Sequence, residues 1–446
     1  MKALIFAEHG TAKGLNKSKP GSLTKLLGLS LIERVVLSAK HADITEFLMV
    51  TDSEEVKRKL GDGSKYGVEI KYLTISKVKK VLKDDFVILS SSYIFDHRIL
   101  KQLINHQTGA SVLVAVDKTK LSAGDIKILE KNGKVIDIGA DIKRSNCVYA
   151  GMLRCSPKVF NYMKSLDGKS ANAGIMELVT NAAERKDAEI FDINWIETYD
   201  SKMRKDIEPW WIYISREDDL ATAEQIIIEN ASKNPSDALA CYVHKPIENK
   251  LVAFISKYNI TPNQITIIVN ILAYTATALF FYGYLLIASL ITFVVGVVDG
   301  LDGKLARVKL KTSKLGSLEH SFDLLFEFSW IIALSCFLFI STRDATPLIL
   351  CILIITFVSF YRNVYDRFRS ATGVSLDDYG GFERKFKRIA GRRNLYNIPI
   401  LVSILLNVPL YSLFFILFHS AVTAIVYTAR AAKHMYDMDR GIVWQR

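Results

Sequence analysis

The sequence predicts two fold classes in one chain, an α/β domain followed by an all-α transmembrane domain of six helices. Three observations carry this. Up to about Asn259, short apolar runs alternate with charged, helix-like stretches, the pattern of buried strands between helices. From Asn263 onward long apolar stretches dominate, several approaching the roughly 20 residues that cross a bilayer. The connections between those stretches alternate between short segments with few charges and segments rich in Lys and Arg. Membrane proteins show that asymmetry; a buried bundle of soluble helices has no need of it.

Composition narrows the class. A chain of 446 residues, 50% hydrophobic and 23% charged, can bury a sizeable core and is neither a disordered tail protein nor a fibrous one. The 58 Lys and Arg against 46 Asp and Glu leave a net charge of +12, which suits nucleic acid or an anionic membrane surface. A mean hydropathy of +0.18 favours the membrane. The basic residues also gather at loop ends of one membrane side, so no nucleic-acid partner is expected. Cys147, Cys155, Cys241, Cys336 and Cys351 form no C-x-x-C pair and no zinc spacing, which reads as reduced thiols. The opening MKALIFAEHG is too short an apolar run for a signal peptide.

In chain order, strands are expected at Ala3–Ala7, Glu46–Val50, Phe86–Leu89, Ser111–Val116 and Cys147–Leu153, with helices over Ser30–Ala42 and Ser53–Leu60. Short buried strands alternating with helices predict a largely parallel sheet. The Asn, Ser, Lys and Pro of Glu229–Ala238 read as a linker. The expected division is residues 1–232 for the α/β domain, 233–261 for a linker with an interfacial helix, and 262–446 for the membrane domain. In His244–Tyr258, Ile247, Leu251, Phe254 and Ile255 share a helix face, with Lys245, Lys250 and Lys257 elsewhere. That is the pattern of a helix lying on anionic headgroups; a connector packed on the α/β domain is the alternative.

Spans are expected at Gln264–Leu285, Ile287–Val298, Leu315–Ile340, Pro347–Phe360, Asn397–Leu406 and Leu410–Tyr427. The basic connections Lys304–Lys314 and Arg362–Arg393 and the tail after Thr428 put the N-terminal domain and the C-terminus in the cytoplasm by the positive-inside rule. The expected location is the cell membrane, with multiple passes.

The second span ends in VVDGLDGKLARVKLKTSKLGSLEHSFD. Acids at the membrane edge are costly and mark function. Asp299 and Asp302 are three apart and share a helix side, and Glu319 and Asp323, four apart, share another. Two helices joined by a basic loop can bring four carboxylates to one spot, and hard oxygen ligands in that number suit Mg²⁺ or a pair of divalent ions holding a pyrophosphate. Gly303, Ala306 and Gly316 permit close approach, and Arg307 offers a fork for phosphate oxygens. Snorkelling charges at helix ends would need no such order or spacing. Glu327 extends the Glu319/Asp323 face and either supports it or bonds to a neighbouring helix.

The run Asp299-x-x-Asp302-Gly303-x-x-Ala306-Arg307, eight residues and Gly316 resembles the signature of the CDP-alcohol phosphotransferases. The family pattern places two further aspartates four and eight residues on, which here are His320 and Leu324; the acids sit one residue earlier, at Glu319 and Asp323. Thr261-Pro262-Asn263-x-x-Thr266 is similar to the segment opening the family's first span. The resemblance covers roughly Tyr242 to the C-terminus. It implies transfer of the phosphoryl-alcohol group of a CDP-alcohol donor to a hydroxyl acceptor such as inositol phosphate or glycerol phosphate, with CMP leaving. It implies that Asp299, Asp302, Glu319 and Asp323 hold Mg²⁺ or Mn²⁺, that Asp323 takes the acceptor's proton, and that Gly303, Arg307 and Ser313 contact the CDP moiety. Asn263 and Thr266 join the substrate-binding set, and a homodimer in the lipid bilayer is implied. Arg388 and Arg392, within FERKFKRIAGRRNLYN, either bind a phosphorylated acceptor or serve topology and headgroup contact.

The first half resembles sugar-phosphate nucleotidyltransferases through GSLTKLLGLSLIERVVLSAK and LGDGSKYGVEIKYL, which implies a Rossmann-like fold. The order of the two domains resembles the fusion of inositol-1-phosphate cytidylyltransferase with di-myo-inositol phosphate synthase, in which one half makes the CDP-alcohol that the other consumes. The catalytic positions depart from that family. Glu8 stands for a loop glycine, Ala12 for the arginine, Gly21 for the lysine unless Lys19-Pro20 slips by two, and Ser92 for the first metal aspartate. The second metal aspartate falls on Tyr213 or Ser215. A retained scaffold with degenerate chemistry is the expectation, an active bifunctional enzyme the alternative, and a non-catalytic membrane nucleotide sensor or scaffold the reading from another class.

Overall fold

The computed structural model describes residues 1–7, 21–120, 126–161, 171–200, 203–234, 237–312 and 319–441. The chain divides into two compact units, one of residues 1–198 with 207–227 and the other of residues 199–206 with 228–446.

The first unit is built on nine strands: β1 (Lys2–Phe6), β2 (Glu46–Val50), β3 (Glu69–Tyr72), β4 (Phe86–Ser90), β5 (Val112–Asp117), β6 (Lys127–Lys131), β7 (Lys134–Gly139), β8 (Cys147–Cys155) and β9 (Ala188–Asp192). Their order across the sheet is β3-β2-β1-β4-β8-β5-β9-β7-β6. All five expected strands form, and β4 and β5 are buried along their whole length, as apolar runs covered on both faces should be. The sheet is mixed rather than largely parallel. β1, β2, β3 and β4 pair in parallel, as do β5 and β9, but β8 runs antiparallel between β4 and β5. β6 and β7 form a hairpin across Asn132 and Gly133, whose φ values of 53° and 79° are those of a two-residue primed turn.

Helix starts follow the sequence closely. Ser30 caps Leu31–His41, its backbone N–H and hydroxyl donating to Glu33 Oε2 at 2.9 and 2.7 Å, a capping box. Ser53 caps Glu54–Leu60. All five cysteines are free.

The second unit holds the apolar helices. Pro262–Phe281 is the first span. Leu285–Val298 resumes as Leu301–Val308 after Asp299-Gly300 and makes the second. The third lies in Glu319–Thr342, the fourth is Thr346–Thr372, and the last is Leu410–Asp439. Five helices among the described residues are long and apolar enough to cross a membrane. The fifth expected span, Asn397–Leu406, falls in the helix Arg393–Leu405, 13 residues with Pro399 inside; at 1.5 Å per residue it covers roughly 20 Å, short of the roughly 30 Å hydrocarbon core. All six expected apolar stretches form helices; five are candidate spans by length and composition, and Arg393–Leu405 is the shortest. On the first span Ile265, Val269, Ala273, Ala276 and Phe280 are buried in the bundle, while Ile267, Ile268 and Ile271 are exposed. Ile352 and Phe418 are exposed likewise. An outward apolar surface on every long helix fits lipid as solvent.

Before the first span, helix Lys245–Ser256 exposes Ile247, Lys250 and Phe254, with Lys257 and Tyr258 following on the same side. That is a mixed apolar and lysine face, while Val252 and Ser256 turn inward. A hairpin of Tyr199–Asp200 and Lys205–Asp206 packs within this unit: Arg204 Nη1 donates to Tyr365 Oη and Tyr199 Oη to Asp378 Oδ2, both at 3.4 Å.

Candidate active site

The first span opens with Thr261 as cap, Pro262 as its first residue and Gln264 closing a capping box, the order these residue types favour. One turn on, the hydroxyl of Thr266 reaches across to the second span and donates to Asp302 Oδ2. Asn263 is exposed at the helix start.

On the second span the helix breaks at Asp299-Gly300 and restarts at Leu301. Gly300 has no Cβ, and the side chain of Glu248 from helix Lys245–Ser256 lies 3.3 Å from where one would sit. Burial pushes the Glu248 carboxyl above its ordinary range, against the pull of Lys304, whose Nζ is 3.7 Å away and also bonds Asn249 Oδ1. Gly303 serves Arg307 in the same way: its missing Cβ would lie 3.3 Å from Arg307 Nη1. Arg307 Nε donates to the Ala231 carbonyl at 2.6 Å.

Asp299, Asp302 and Asp323 line one cavity with Thr266, Asn270 and Arg393, walled by Val269, Ala273, Val295, Phe322 and Phe326. Asp299 faces Asp323 and Asp302 within it. Arg393 Nη2 donates to Asp299 Oδ2 at 2.7 Å and its Nη1 is 3.7 Å from Asp323 Oδ1. Three of the four expected carboxylates thus share one cavity. Glu319 begins the third helix, but its side chain lies outside the described atoms, and Ser313 lies outside the described residues. Among the described residues no three acidic, His or Cys side chains stand in metal-ligating geometry. In kind and charge the all-oxygen donor set fits a hard divalent cation.

Arg388 is exposed. Arg392 is bound to Asp377, Nη2 to Oδ2 at 2.5 Å, and Asp377 accepts from Tyr427 Oη at 2.7 Å. Neither lines the carboxylate cavity. Glu327 is buried and paired with Arg362 of the fourth span, which decides between its two expected roles in favour of a bond to a neighbouring helix. Arg393 also belongs to the basic run FERKFKRIAGRRNLYN, but the expected site set takes only Arg388 and Arg392 from it. The available signal was an arginine at the head of an apolar stretch, the same argument that picks out Asp299.

In the first unit, the strand after β4 (Tyr93–Phe95) pairs with Trp211–Tyr213, setting Tyr93 opposite Tyr213. Ile214 N donates to the Ser92 carbonyl at 2.8 Å, so the two positions where metal aspartates were sought are neighbours. Their surroundings are aromatic. Tyr93 stacks on Tyr213 with centroids 4.8 Å apart and approaches Trp211 and Tyr149. The Tyr93 ring fills the space where Gly151, at φ +89°, lacks a Cβ. Ser22 and Ser91 share a 2.8 Å hydroxyl bond beside them, and the nearby carboxylate Asp117 accepts from Trp211 Nε1 at 3.1 Å. The loop bearing Glu8, Ala12 and Lys19 lies outside the described residues.

Carboxylates and arginines held in the wall of an apolar bundle, at a helix broken by glycine, define an integral membrane protein equipped to handle anionic groups. Residues 259–389 match the family model of CDP-alcohol phosphatidyltransferase. Residues 259–389 are thus a CDP-alcohol phosphotransferase domain and the protein is a transferase; that family is generally dependent on a divalent metal. The chain is also similar to a "Bifunctional IPC transferase and DIPP synthase" of Archaeoglobus fulgidus, 22% identical over 389 residues that cover 86% of this chain and 72% of the relative. A "Low-salt glycan biosynthesis nucleotidyltransferase Agl11" of Haloferax volcanii is 25% identical over 232 residues, 48% of this chain and 61% of that one. Among solved structures, the inositol-1-phosphate CTP transferase from T. maritima aligns with a TM-score of 0.38 and 16% identity, over 50% of this chain and 94% of that one. The N-terminal unit is an α/β domain built on one mixed sheet.

Proposed function

We propose that the protein transfers the phosphoryl-alcohol group of a CDP-alcohol to a polyol phosphate or a lipid headgroup alcohol and releases CMP, while its α/β domain no longer makes the donor. The observation that carries the reading is the cavity shared by Asp299, Asp302, Asp323 and Arg393, within the segment that matches the family. In this reading Asp299, Asp302 and Asp323, with Glu319, hold Mg²⁺ or Mn²⁺, which when bound would neutralise charge on the donor's pyrophosphate. Asp323 accepts the proton of the acceptor hydroxyl, the role of a general base. Thr266 fixes the rotamer of Asp302. Gly303, Arg307, Ser313 and Asn263 receive the CDP moiety. Arg388, being exposed, and Arg392, if freed from Asp377, meet the acceptor's phosphate. The basic connections support a cytoplasmic N-terminal domain and C-terminus, and the homodimer implied by the family resemblance belongs to the same reading.

The test is CMP release by the purified full-length chain in the presence of Mg²⁺. CDP-inositol and CDP-diradylglycerol are paired in turn with inositol phosphate, glycerol phosphate and serine. CMP from at least one pair is expected; no CMP from any pair, with CDP still bound, would make the protein a nucleotide sensor.

A second reading, a working bifunctional enzyme, is favoured by the extended similarity to relatives bearing that name. Ser92, Tyr213 and the ring stack around them weigh against it, since none supplies a carboxylate for metal. Full-length protein given CTP, Mg²⁺ and inositol-1-phosphate should release no pyrophosphate; release would establish the bifunctional reading.

A further inference from the structure

Arg393 and Arg392 are adjacent but do different things. Arg392 is committed to Asp377. Arg393 heads the helix Arg393–Leu405, lines the carboxylate cavity, and places its guanidinium carbon 5.3 Å from the centre of the Phe326 ring. Its two contacts are uneven: 2.7 Å to Asp299, a hydrogen bond, and 3.7 Å to Asp323, an electrostatic contact only.

A cavity with apolar walls cannot keep three carboxylates ionised without a cation beside them. Here the guanidinium is that cation, and it faces the same oxygens that a divalent ion would need. We propose that Arg393 is an internal counter-ion that competes with the divalent cation for Asp299 and Asp323 and is displaced from at least Asp323 when the cation binds. The looser contact yields first, because Arg393 holds Asp299 by a 2.7 Å hydrogen bond and only approaches Asp323 at 3.7 Å. Phe326 gives the displaced guanidinium a flat surface to rest on, as arginine planes favour. The displaced charge then faces the cavity, where it attracts the anionic donor. Cation and donor binding therefore favour one another, and by linkage each raises the affinity of the other by the same factor.

This inference rests on the reading of Asp299, Asp302 and Asp323 as cation ligands, and the test separates the two. Mn²⁺ binding is measured by electron paramagnetic resonance on purified full-length protein without nucleotide, for the wild type, Arg393→Met, Arg393→Lys and Asp302→Asn. Arg393→Met is expected to bind Mn²⁺ about tenfold more tightly or better, which at 1.4 kcal/mol per decade is a modest fraction of a close charge pair. Arg393→Lys, which keeps the charge but loses the fork, should also bind more tightly than wild type, though less so than Met. Adding CDP should raise Mn²⁺ affinity more in the wild type than in Arg393→Met. Affinity in the arginine variants equal to or weaker than wild type would overturn the inference, and Arg393→Lys decides the point if Arg393→Met cannot be purified. Undiminished Mn²⁺ binding by Asp302→Asn would instead overturn the ligand assignment itself.

Discussion

Thr266 of the first span donates its hydroxyl hydrogen to Asp302 of the second, tying the helix that opens the membrane domain to the carboxylate at its site. Asp302 is buried, and its other oxygen accepts the Gly303 backbone N–H at 2.5 Å. The carboxylate is thus oriented before any ligand arrives. Thr266→Val should lower Mn²⁺ affinity by roughly 10–100-fold, the usual cost of losing a partner that orients a metal ligand, with little change in thermal stability. Thr266→Ser should retain most of the affinity. Titration of both variants with Mn²⁺ checks this.

Asp323 has two proposed duties, cation ligand and base. Asp323→Asn should reduce turnover by on the order of 10²–10⁴-fold while sparing much of the CDP binding. Equilibrium dialysis with labelled CDP-alcohol, beside CMP release, reads the two separately. Retained turnover would remove the base assignment.

Glu327 and Arg362 pair between the third and fourth spans, and Glu327 is buried while Arg362 is partly open. Arg362→Met leaves a buried carboxylate without its cation and should cost on the order of 3 kcal/mol, the low end for breaking a buried pair. Glu327→Gln with Arg362→Met together should recover part of that loss. Thermal unfolding of the detergent-solubilised protein gives the comparison.

His244 is buried against Gly296, 3.2 Å from the position its Cβ would take. Burial first, and then Arg393, hold its imidazole below the ordinary value of 6.5, against the pull of Asp237. The unfolded chain therefore takes up this proton at a higher pH than the folded one. The contribution is fully present above pH 6.5 and is lost as the pH falls from there through the depressed value. Unfolding temperatures between pH 8 and pH 5 should drop on the acid side, and His244→Gln should flatten that drop.

What the sequence made legible was what local rules determine. Five strands of the first unit, the helices beginning at Ser30 and Ser53, and the shared side of Asp299 and Asp302 all follow from spacings of one to four residues. What stayed hidden depends on contacts distant in sequence. Arg392 and Arg393 are alike as letters, yet Arg392 is the extended residue capping the helix and Arg393 its first helical residue, and that change of backbone sends one to Asp377 and the other to Asp299. The antiparallel insertion of β8 between β4 and β5 is a matter of strand order, on which hydrophobic pattern is silent. The Asn132-Gly133 hairpin was signalled by its turn residues but lies between strands too charged to read as buried runs. The short helix Arg393–Leu405 reads as a span by hydropathy and fails on length.

The most direct test is release of CMP from a CDP-alcohol by purified full-length protein with Mg²⁺, measured beside Asp299→Asn and Asp323→Asn. Mg²⁺-dependent CMP release that requires a hydroxyl acceptor, and is lost in both variants, is the predicted result. CMP release that persists in both variants, or its absence with every donor and acceptor pair, would contradict the assignment of this cavity as the transferase site.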